Sequence, residues 1–456
     1  MEIERKLAAA ELMPAVQRLF ALAAEKTLRL CRRWDAARGT PVVTASGLYT
    51  GRNWTQWTQG FQYGNAILAF EQTGEAGLLK IGRGHTVAGM AEHLTHTGVH
   101  DHGFNTISTY GQLRRLAREG VIEASEWELR FYELALKTSG AVQAARWTQL
   151  SEDSGYVYSF NGAHSLFIDT MRTLRVCGVA HRLGHALLGE QDRRISLLDR
   201  LLQHARTSAR YNIYYGEGRD AYDLPELRGR TAHEAIFNPA SGSFRCPSSQ
   251  QGYSPFTTWT RGLAWAMLGF AEQLEFIQSL TDGDVAKSSG ITRAEALEFL
   301  ERAATATCDF YVGWASALDG VCYWDTGAPG LERLGDWKGE RADPFNAFEP
   351  VDASASAIAA QGLIRLGCAK GEAGRGYVDS GLTVARTLLT EPYLSTDPQH
   401  EGILLHSIYH RPNGWDCGAE RNTTPSGESS MWGDYHMLEL GLLIARLAEN
   451  RYYTFF

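Results

Sequence analysis

The sequence predicts an all-α fold, specifically an (α/α)6 barrel in which six inner and six outer helices close into a toroid. Apolar residues recur at helical spacing along most of the 456-residue chain. Sharing that length among about a dozen such segments leaves about 38 residues for each helix with its connection. Alternating patterns typical of strands are short and confined to connections such as 211–215 and 403–409. Because no linker or low-complexity tract interrupts the pattern, a single domain over residues 1–456 is expected.

The chain opens with a predicted amphipathic helix over residues 1–25, in which Leu12, Val16, Leu19 and Ala23 share one face. A later helix begins at Thr292, which stands in capping-box register with Glu295. The long connections at 211–258, 314–352 and 391–428 are rich in aromatic residues and glycine, and we expect them to cluster at one rim. The remaining helices are predicted at 60–73, 76–95, 107–119, 124–139, 164–188, 190–209, 259–277, 353–367, 374–389 and 429–448.

Composition excludes several classes of function. With 44 Lys and Arg against 52 Asp and Glu, the formal net charge is −8, which argues against a nucleic-acid partner. No apolar run approaches the ~20 residues that cross a bilayer, so no membrane partner is expected. Charges interrupt residues 1–25, unlike a signal peptide. The seven cysteines, an odd number without a CxxC pair, indicate reduced thiols and a cytoplasmic protein.

Four histidines lie close together at 93, 96, 100 and 102, with Asp101 among them. Imidazole and carboxylate groups are good zinc ligands, but the segment lacks HExxH spacing and runs into a glycine-containing loop. Nucleotide-binding glycine motifs and a GxSxG elbow are also missing. We therefore predict neither a metal nor a cofactor, and interpret 100–104 as a loop that presents one working carboxylate.

Short motifs along the chain together resemble the unsaturated glucuronyl hydrolases, glycoside hydrolase family 88. The matching blocks occur in family order, and the family's fold is an (α/α)6 barrel, in agreement with the helix count. They are 57–61 (WTQGF), 100–104 (HDHGF), 168–171 (IDTM), 251–253 (QGY), 259–265 (WTRGLAW), 352–357 (DASASA), 404–409 (LLHSIY) and 432–435 (WGDY).

The resemblance implies a hydrolase that releases a 4,5-unsaturated uronic acid from the non-reducing end of lyase-generated oligosaccharides. Asp169 matches the family's general acid/base and Asp101 its partner carboxylate. The acid protonates C4 of the vinyl ether, water adds at C5, and the hemiketal opens and expels the remaining chain. Because an ordinary aspartic acid is ionised at neutral pH, this role leads us to expect a raised pKa for Asp169 and an ionised Asp101.

The resemblance also implies a set of substrate-binding residues. His100 would bond substrate or carboxylate, His233 and Gln251 would face the unsaturated sugar, and Arg261 would present its fork to the substrate carboxylate. Trp54, Trp57, Trp259 and Trp265 are candidates for stacking on sugar rings.

Simpler structural roles stay open for several of these residues. Asp169, in a predicted helix over 165–175, could pair with Arg172 or Arg175 instead. Asp101 could cap the following helix. Arg261 could bind a neighbouring acid and Trp265 could belong to the core. Asp352, directly before an Ala- and Ser-rich helix, is interpreted as a cap and left out of the site.

Two departures from the family pattern leave the substrate open. The chain has Tyr158, Ser159 and Phe160 where family members often carry a tryptophan, and 211–230 is longer than the usual connection. The polysaccharide source, linkage and sulfation are therefore undetermined, and the protein could be a monomer or a homodimer. Competing functions are an unsaturated rhamnogalacturonyl hydrolase, a saturated-glucuronate hydrolase, a sugar 2-epimerase working through a histidine pair, and a sugar-binding module without catalysis.

Overall fold

The computed structural model describes residues 1–52, 56–416 and 423–456, so Trp54 and Cys417 lie outside the described residues. Helices dominate this part of the chain, as predicted. They are α1 (Met13–Arg33), α2 (Gln59–Thr73), α3 (Ala76–Gly89), α4 (Ala91–Leu94), α5 (His102–Thr106), α6 (Gln112–Arg118), α7 (Glu126–Ala145), α8 (Thr170–Thr173), α9 (Arg175–Arg182), α10 (Leu197–Tyr211), α11 (Thr260–Gln278), α12 (Asp282–Ser288), α13 (Arg293–Phe310), α14 (Ala353–Ala369), α15 (Arg375–Leu388) and α16 (Met431–Ala448).

Strands are short and pair locally within the connections. β1 with β2, β3 with β4, and β6 with β7 form antiparallel two-stranded sheets, and β5, β8 and β9 form one antiparallel sheet in the order β5-β8-β9. Their bounds are β1 (Thr40–Ala45), β2 (Leu48–Arg52), β3 (Trp147–Ser151), β4 (Ser154–Val157), β5 (Ser165–Phe167), β6 (Leu187–Leu188), β7 (Arg194–Ile195), β8 (Glu234–Phe237) and β9 (Phe244–Ser248).

The helix contacts run in a closed circuit. α2 contacts α5, α5 contacts α8, and α8 contacts α11, which packs on α14; α14 contacts α16, and α16 returns to α2. Outside this circuit, α1 and α3 pack on α2, α7 and α10 on α9, α13 on α11, and α15 on α14. One continuous apolar core reaches from Leu7 to Phe455. Among the described residues, no helix combines the length and apolar character needed to span a bilayer.

Burial distinguishes the circuit helices from those outside it. In α14, Ala353, Ala355, Ala357, Ala359 and Ala360 are all fully buried, as expected for small residues that let helices approach closely. In α1, by contrast, only one face is buried, as expected for an outer amphipathic helix. Packing on both sides of α14 thus explains why small and apolar residues follow one another along nearly its whole length.

Two predicted helices were wrong in part. Residues 1–12 do not belong to the first α-helix, which begins at Met13 with Pro14 in its first turn. The amino group of Met1 instead donates to the carbonyl of Val312 (2.9 Å). Segment 164–188 begins with strand β5 because its apolar run pairs with β8, and an apolar run this short fits a strand as well as a buried helix.

Candidate active site

Asp101 and Asp169 lie together at one cavity. The cavity has a volume of about 690 Å³, within the range of small-molecule sites. Every predicted site residue in the described part of the chain lines it except His233. The lining comprises Trp57, His93, His96, Val99, His100, Asp101, Phe104, Asn105, Phe160, Phe167, Asp169, Gln250, Gln251, Trp259, Arg261, Trp265, Tyr409, His410, Asn413 and Trp415.

The two carboxylates both stand at the start of short helices without capping them. Asp101 precedes α5 and Asp169 precedes α8, and neither side chain accepts a cap hydrogen bond. Asp352 behaves differently, since its carboxylate caps α14 by accepting from the backbone N–H of Ala355 (3.2 Å). The capping role that stayed open for Asp101 is therefore not the one the structure shows, whereas that of Asp352 is confirmed.

His100 connects the two carboxylates. Its Nε2 lies 3.1 Å from Oδ1 of Asp169 and 3.8 Å from Oδ1 of Asp101. The backbone carbonyl of His100 accepts from Gln143 of α7 (2.8 Å) and from Thr173 (2.9 Å). Outer and inner helices thus hold the His100 backbone in place between the two acids.

Gly103 allows helices α5 and α8 to approach each other closely. A Cβ at Gly103 would lie 2.0 Å from the backbone oxygen of Thr173, far closer than any such contact in real proteins. The HDHGF motif therefore requires glycine at this position, because α5 packs its backbone directly against the end of α8. This approach brings Asp101 next to Asp169.

Strand pairing places His233 behind Asp169. β5 pairs with β8, and the N–H of Ile168 donates to the carbonyl of His233 (3.0 Å). Nδ1 of His233 accepts from the backbone N–H of Gln250 (3.0 Å), so its proton lies on Nε2, which is 4.0 Å from Oδ2 of Asp169. His233 is buried and supports Asp169 from outside the cavity lining, whereas the sequence predicted that it faces the sugar.

The charges around Asp169 set pKa values opposite to those expected from the sequence. Burial raises the pKa of Asp169, but the hydrogen bond from His100 and the charges of His100, His233 and Arg261 outweigh it, so the net pKa is lowered. The pKa of Asp101 is raised by burial, with the Asp169 carboxylate adding to the effect. The surroundings therefore favour the charged form of Asp169 more strongly than that of Asp101.

The pKa values of the two histidines diverge. Burial disfavours the charge on His100, but the charge of Asp101 and the bond to Asp169 outweigh it and raise the pKa of His100. The pKa of His233 is lowered to about 4, because its burial outweighs the pull of Asp169. His100 is thus the imidazole that can carry a proton into the carboxylate pair.

Arg261 does not present a free fork to the cavity. Its Nη1 lies 2.6 Å from Asp352 and also donates to the carbonyl of Ile408, while Nη2 donates to Gln251 (2.9 Å) and to the carbonyl of Tyr409 (2.6 Å). The predicted bidentate contact with a substrate carboxylate is therefore not available in this geometry. Arg261 instead orients the Gln251 amide at the cavity wall.

The aromatic residues divide into exposed and buried walls. Trp57 is half-buried and stacks on Trp432 with ring centroids 5.2 Å apart. Trp259 and Trp265 line the cavity but are nearly fully buried, Trp259 against His233 (4.6 Å) and Trp265 against Phe104 (4.8 Å). Trp57 is thus the best placed of the three to contact a ligand.

Sequence reasoning missed a second aromatic wall. Tyr409, His410, Asn413 and Trp415 line the cavity from the 391–428 connection, where irregular backbone carries no periodic signal. Phe160, noted only as a departure from the family pattern, stacks on His100 at 6.1 Å and is 46% exposed. Phe160 therefore lies directly beside the imidazole that connects the two carboxylates.

The neighbouring histidines make separate hydrogen bonds. His93 bonds Gln59 (2.6 Å) and Asn105 (3.2 Å), and His102 bonds Ser139 (3.0 Å) and the carbonyl of His96 (2.9 Å). Within residues 1–52, 56–416 and 423–456, no three His, Cys, Asp or Glu side chains are grouped to hold a metal ion.

Two known proteins of similar sequence are unsaturated glucuronyl hydrolases. No family model matches the chain. The chain is 26% identical over 424 residues to an unsaturated glucuronyl hydrolase from Bacillus sp. strain GL1, covering 90% of this chain and 92% of that one. It is 24% identical over 390 residues to an unsaturated glucuronyl hydrolase from Formosa agariphila, and the match covers 84% of this chain and 78% of that one.

A solved structure extends the likeness to the fold. An unsaturated glucuronyl hydrolase specific for heparin matches with a TM-score of 0.72 at 19% identity, over 97% of this chain and 99% of that one. Together with the sequence relatives, this likeness confirms the resemblance drawn from the motifs. The chain is thus similar to unsaturated glucuronyl hydrolases in sequence and in fold over nearly its whole length.

Proposed function

We propose that the protein is a glycoside hydrolase of the unsaturated glucuronyl hydrolase type. It releases a 4,5-unsaturated uronic acid from the non-reducing end of lyase-generated oligosaccharides. The observation that carries this proposal is the pair of buried carboxylates, Asp101 and Asp169, joined through His100 at a cavity of sugar-binding size. A sugar-binding module without catalysis would have no need for such a costly buried arrangement.

Asp169 acts as the general acid and then as the base. Its proton forms the new C–H bond at C4 while the C4=C5 double bond breaks, and positive charge develops at C5 and the ring oxygen. Water then attacks C5 and returns a proton to the Asp169 carboxylate. The resulting hemiketal opens and expels the remaining sugar chain, so the enzyme regains its starting protonation state.

The substrate itself makes Asp169 a better acid. Its carboxylate adds a negative charge near Asp169 and displaces water, and both changes raise the pKa of Asp169. His100, already hydrogen-bonded to Oδ1, is the adjacent proton donor. Asp101 favours the charged form of His100 and stabilises the positive charge of the transition state.

The remaining side chains bind and position the substrate. Gln251, oriented by Arg261, offers its amide to the sugar hydroxyls or to the attacking water. Trp57 provides an aromatic surface for a sugar ring, and Trp259 and Trp265 shape the wall behind it. His233 keeps Asp169 in place through β8.

The fold supports the same assignment. We propose that the closed helix circuit and the helices packed around it form the six hairpins of an (α/α)6 barrel, and the continuous core supports a single catalytic domain over 1–456. The proposed reaction needs neither metal nor cofactor. The cytoplasmic location stays a prediction.

Ultraviolet-monitored digestion of lyase-generated oligosaccharides from several polymers tests the proposal. Vinyl-ether hydration destroys the conjugated chromophore, so absorbance should fall as the neighbouring sugar is released. Unsaturated galacturonyl-rhamnose and saturated glucuronyl disaccharides, run in parallel, separate the related hydrolases. Release of sugar with the absorbance unchanged, or turnover of the saturated substrate alone, would contradict the proposal.

A further inference from the structure

A second cavity of about 380 Å³ adjoins the catalytic one and has no part in the proposed reaction. It lies where the end of α1 meets α2, α3 and α4. Its walls include Trp34 after α1, Gln59, Gln62 and Tyr63 on α2, His85 on α3 and Glu92 on α4. Its volume falls within the range of small-molecule sites.

Gln62 is the unusual residue of this cavity. Its side chain is only 6% exposed, yet it makes no hydrogen bond in the described part of the chain. The amide atoms of Gln62 are not among the side-chain atoms closed off from solvent, so its two donors and its acceptor open onto the cavity. Since Gln62 lines the cavity, a ligand or water there is what can satisfy it.

Gln59 lies between the two cavities, and its amide, unlike that of Gln62, is hydrogen-bonded at both its nitrogen and its oxygen. Gln59 donates from Nε2 to the hydroxyl of Tyr63 (3.0 Å), and its Oε1 lies 2.6 Å from Nε2 of His93. His93 lines the catalytic cavity. The contrast between Gln59 and Gln62 shows that the fold can satisfy an amide here and leaves Gln62 free toward the second cavity.

The chemistry of the walls identifies the ligand class. Arg38 covers one face of Trp34, and Tyr63 stacks on one face of His85 (5.2 Å), but both rings keep aromatic surface in the cavity wall, which suits the C–H groups of a sugar ring. Gln62 and Glu92 offer donors and acceptors for hydroxyl groups. The described lining residues include a carboxylate but no Lys or Arg, and the neighbouring Arg38 guanidinium lies over the Trp34 ring (4.7 Å), so an anionic sugar is disfavoured.

We propose that this second cavity binds a neutral pyranose, held by the Gln62 amide against the aromatic walls. The pyranose is either a free monosaccharide or one unit of a longer neutral chain. This assignment rests on the second cavity alone and does not require the proposed function. Its test therefore reads binding, and loss of turnover has no bearing on it.

Fluorine NMR of protein labelled with 5-fluorotryptophan gives a local test. Trp34 reports on the second cavity and Trp57 on the catalytic one, each resonance being assigned by substitution. Titration with methyl β-D-glucopyranoside, and separately with cellotetraose, should shift the Trp34 resonance saturably. A shift with the monosaccharide identifies a free sugar as ligand, and a shift with cellotetraose alone identifies a unit of a longer chain.

Substitutions decide whether Gln62 holds the ligand. Gln62→Leu should weaken the Trp34 response about tenfold, the scale of one or two lost hydrogen bonds. Gln203→Leu, which removes an amide from a different polar cavity on α10, should leave it unchanged. If Gln62→Leu does not fold, Glu92→Ala at the exposed edge should weaken binding instead. No Trp34 shift with either sugar in large excess, or an equal shift in the folded variants, would overturn the proposal.

Discussion

The imidazole Nε2 of His100 lies 3.1 Å from the carboxylate Oδ1 of Asp169, although 69 positions separate the two residues. Asp101 flanks the same imidazole nitrogen at 3.8 Å. A buried imidazole between two carboxylates can retain a proton that either acid alone would lose at neutral pH. This relationship, more than the identity of any single residue, gives the cavity its capacity for acid catalysis.

Replacing Asp101 should change the titration of His100. The carboxylate of Asp101 favours the charged imidazolium, so Asp101→Asn should lower the pKa of His100 from its raised value in the wild type. Histidine NMR titration of the two proteins measures the difference. His102, whose burial lowers its pKa to about 4, is the internal control and should titrate alike in both. An unchanged pKa of His100 in the variant would show that the Asp101 carboxylate does not act on the imidazole.

Enlarging Gly103 should separate the two carboxylates. Gly103→Ala places a methyl group against the backbone of Thr173, so we expect a loss of about 1–3 kcal/mol in the free energy of unfolding together with lower activity. Gly84→Ala in α3 is the matched control, because a Cβ there meets nothing within 4 Å. It should gain about 0.5–1 kcal/mol. Chemical denaturation measures the free energy of unfolding of both variants. Equal values for the two would refute the close contact between Gly103 and Thr173.

Phe160 should matter for activity although it departs from the family pattern. Its ring stacks on His100 and lines the catalytic cavity, so Phe160→Ala should lower kcat/KM about three- to tenfold. Phe256→Ala provides the control. Phe256 is similarly exposed and stacks on Tyr222, but it does not line the cavity. Steady-state kinetics with one unsaturated disaccharide compares them, and equal losses would deny Phe160 a specific role.

Much of the fold could be predicted because the outer and inner helices carry a clear apolar period. The predicted helix 353–367 agrees closely with α14, and 259–277 with α11. Segment 164–188 could not be predicted correctly, because Leu166, Phe167 and Ile168 are as compatible with a strand as with a buried helix. Only pairing with β8, about 70 residues later, selects the strand.

The site was predictable through its motifs and less so through its electrostatics. Asp101, Asp169, His100 and Gln251 meet at one cavity, as expected. The sequence could not predict which of the two aspartates has the higher pKa, or that Arg261 is bonded to other protein groups. Both depend on contacts between distant residues, such as that of Arg261 with Asp352. Tyr409 and Trp415 come from irregular backbone, in which Tyr409 packs against the rings of Trp57 and Trp432 from other parts of the chain.

In the proposed reaction, Asp169 delivers a proton to C4 of the unsaturated sugar. Digestion of an unsaturated disaccharide in D2O, followed by mass spectrometry and NMR of the products, tests it most directly. We expect one deuterium at C4 together with loss of ultraviolet absorbance. Asp169→Asn should slow both by about 10²–10⁴-fold while remaining folded, and the exposed control Asp282→Asn should behave like wild type. Sugar release that leaves C4 without deuterium, or near-normal turnover by Asp169→Asn, would contradict the claim.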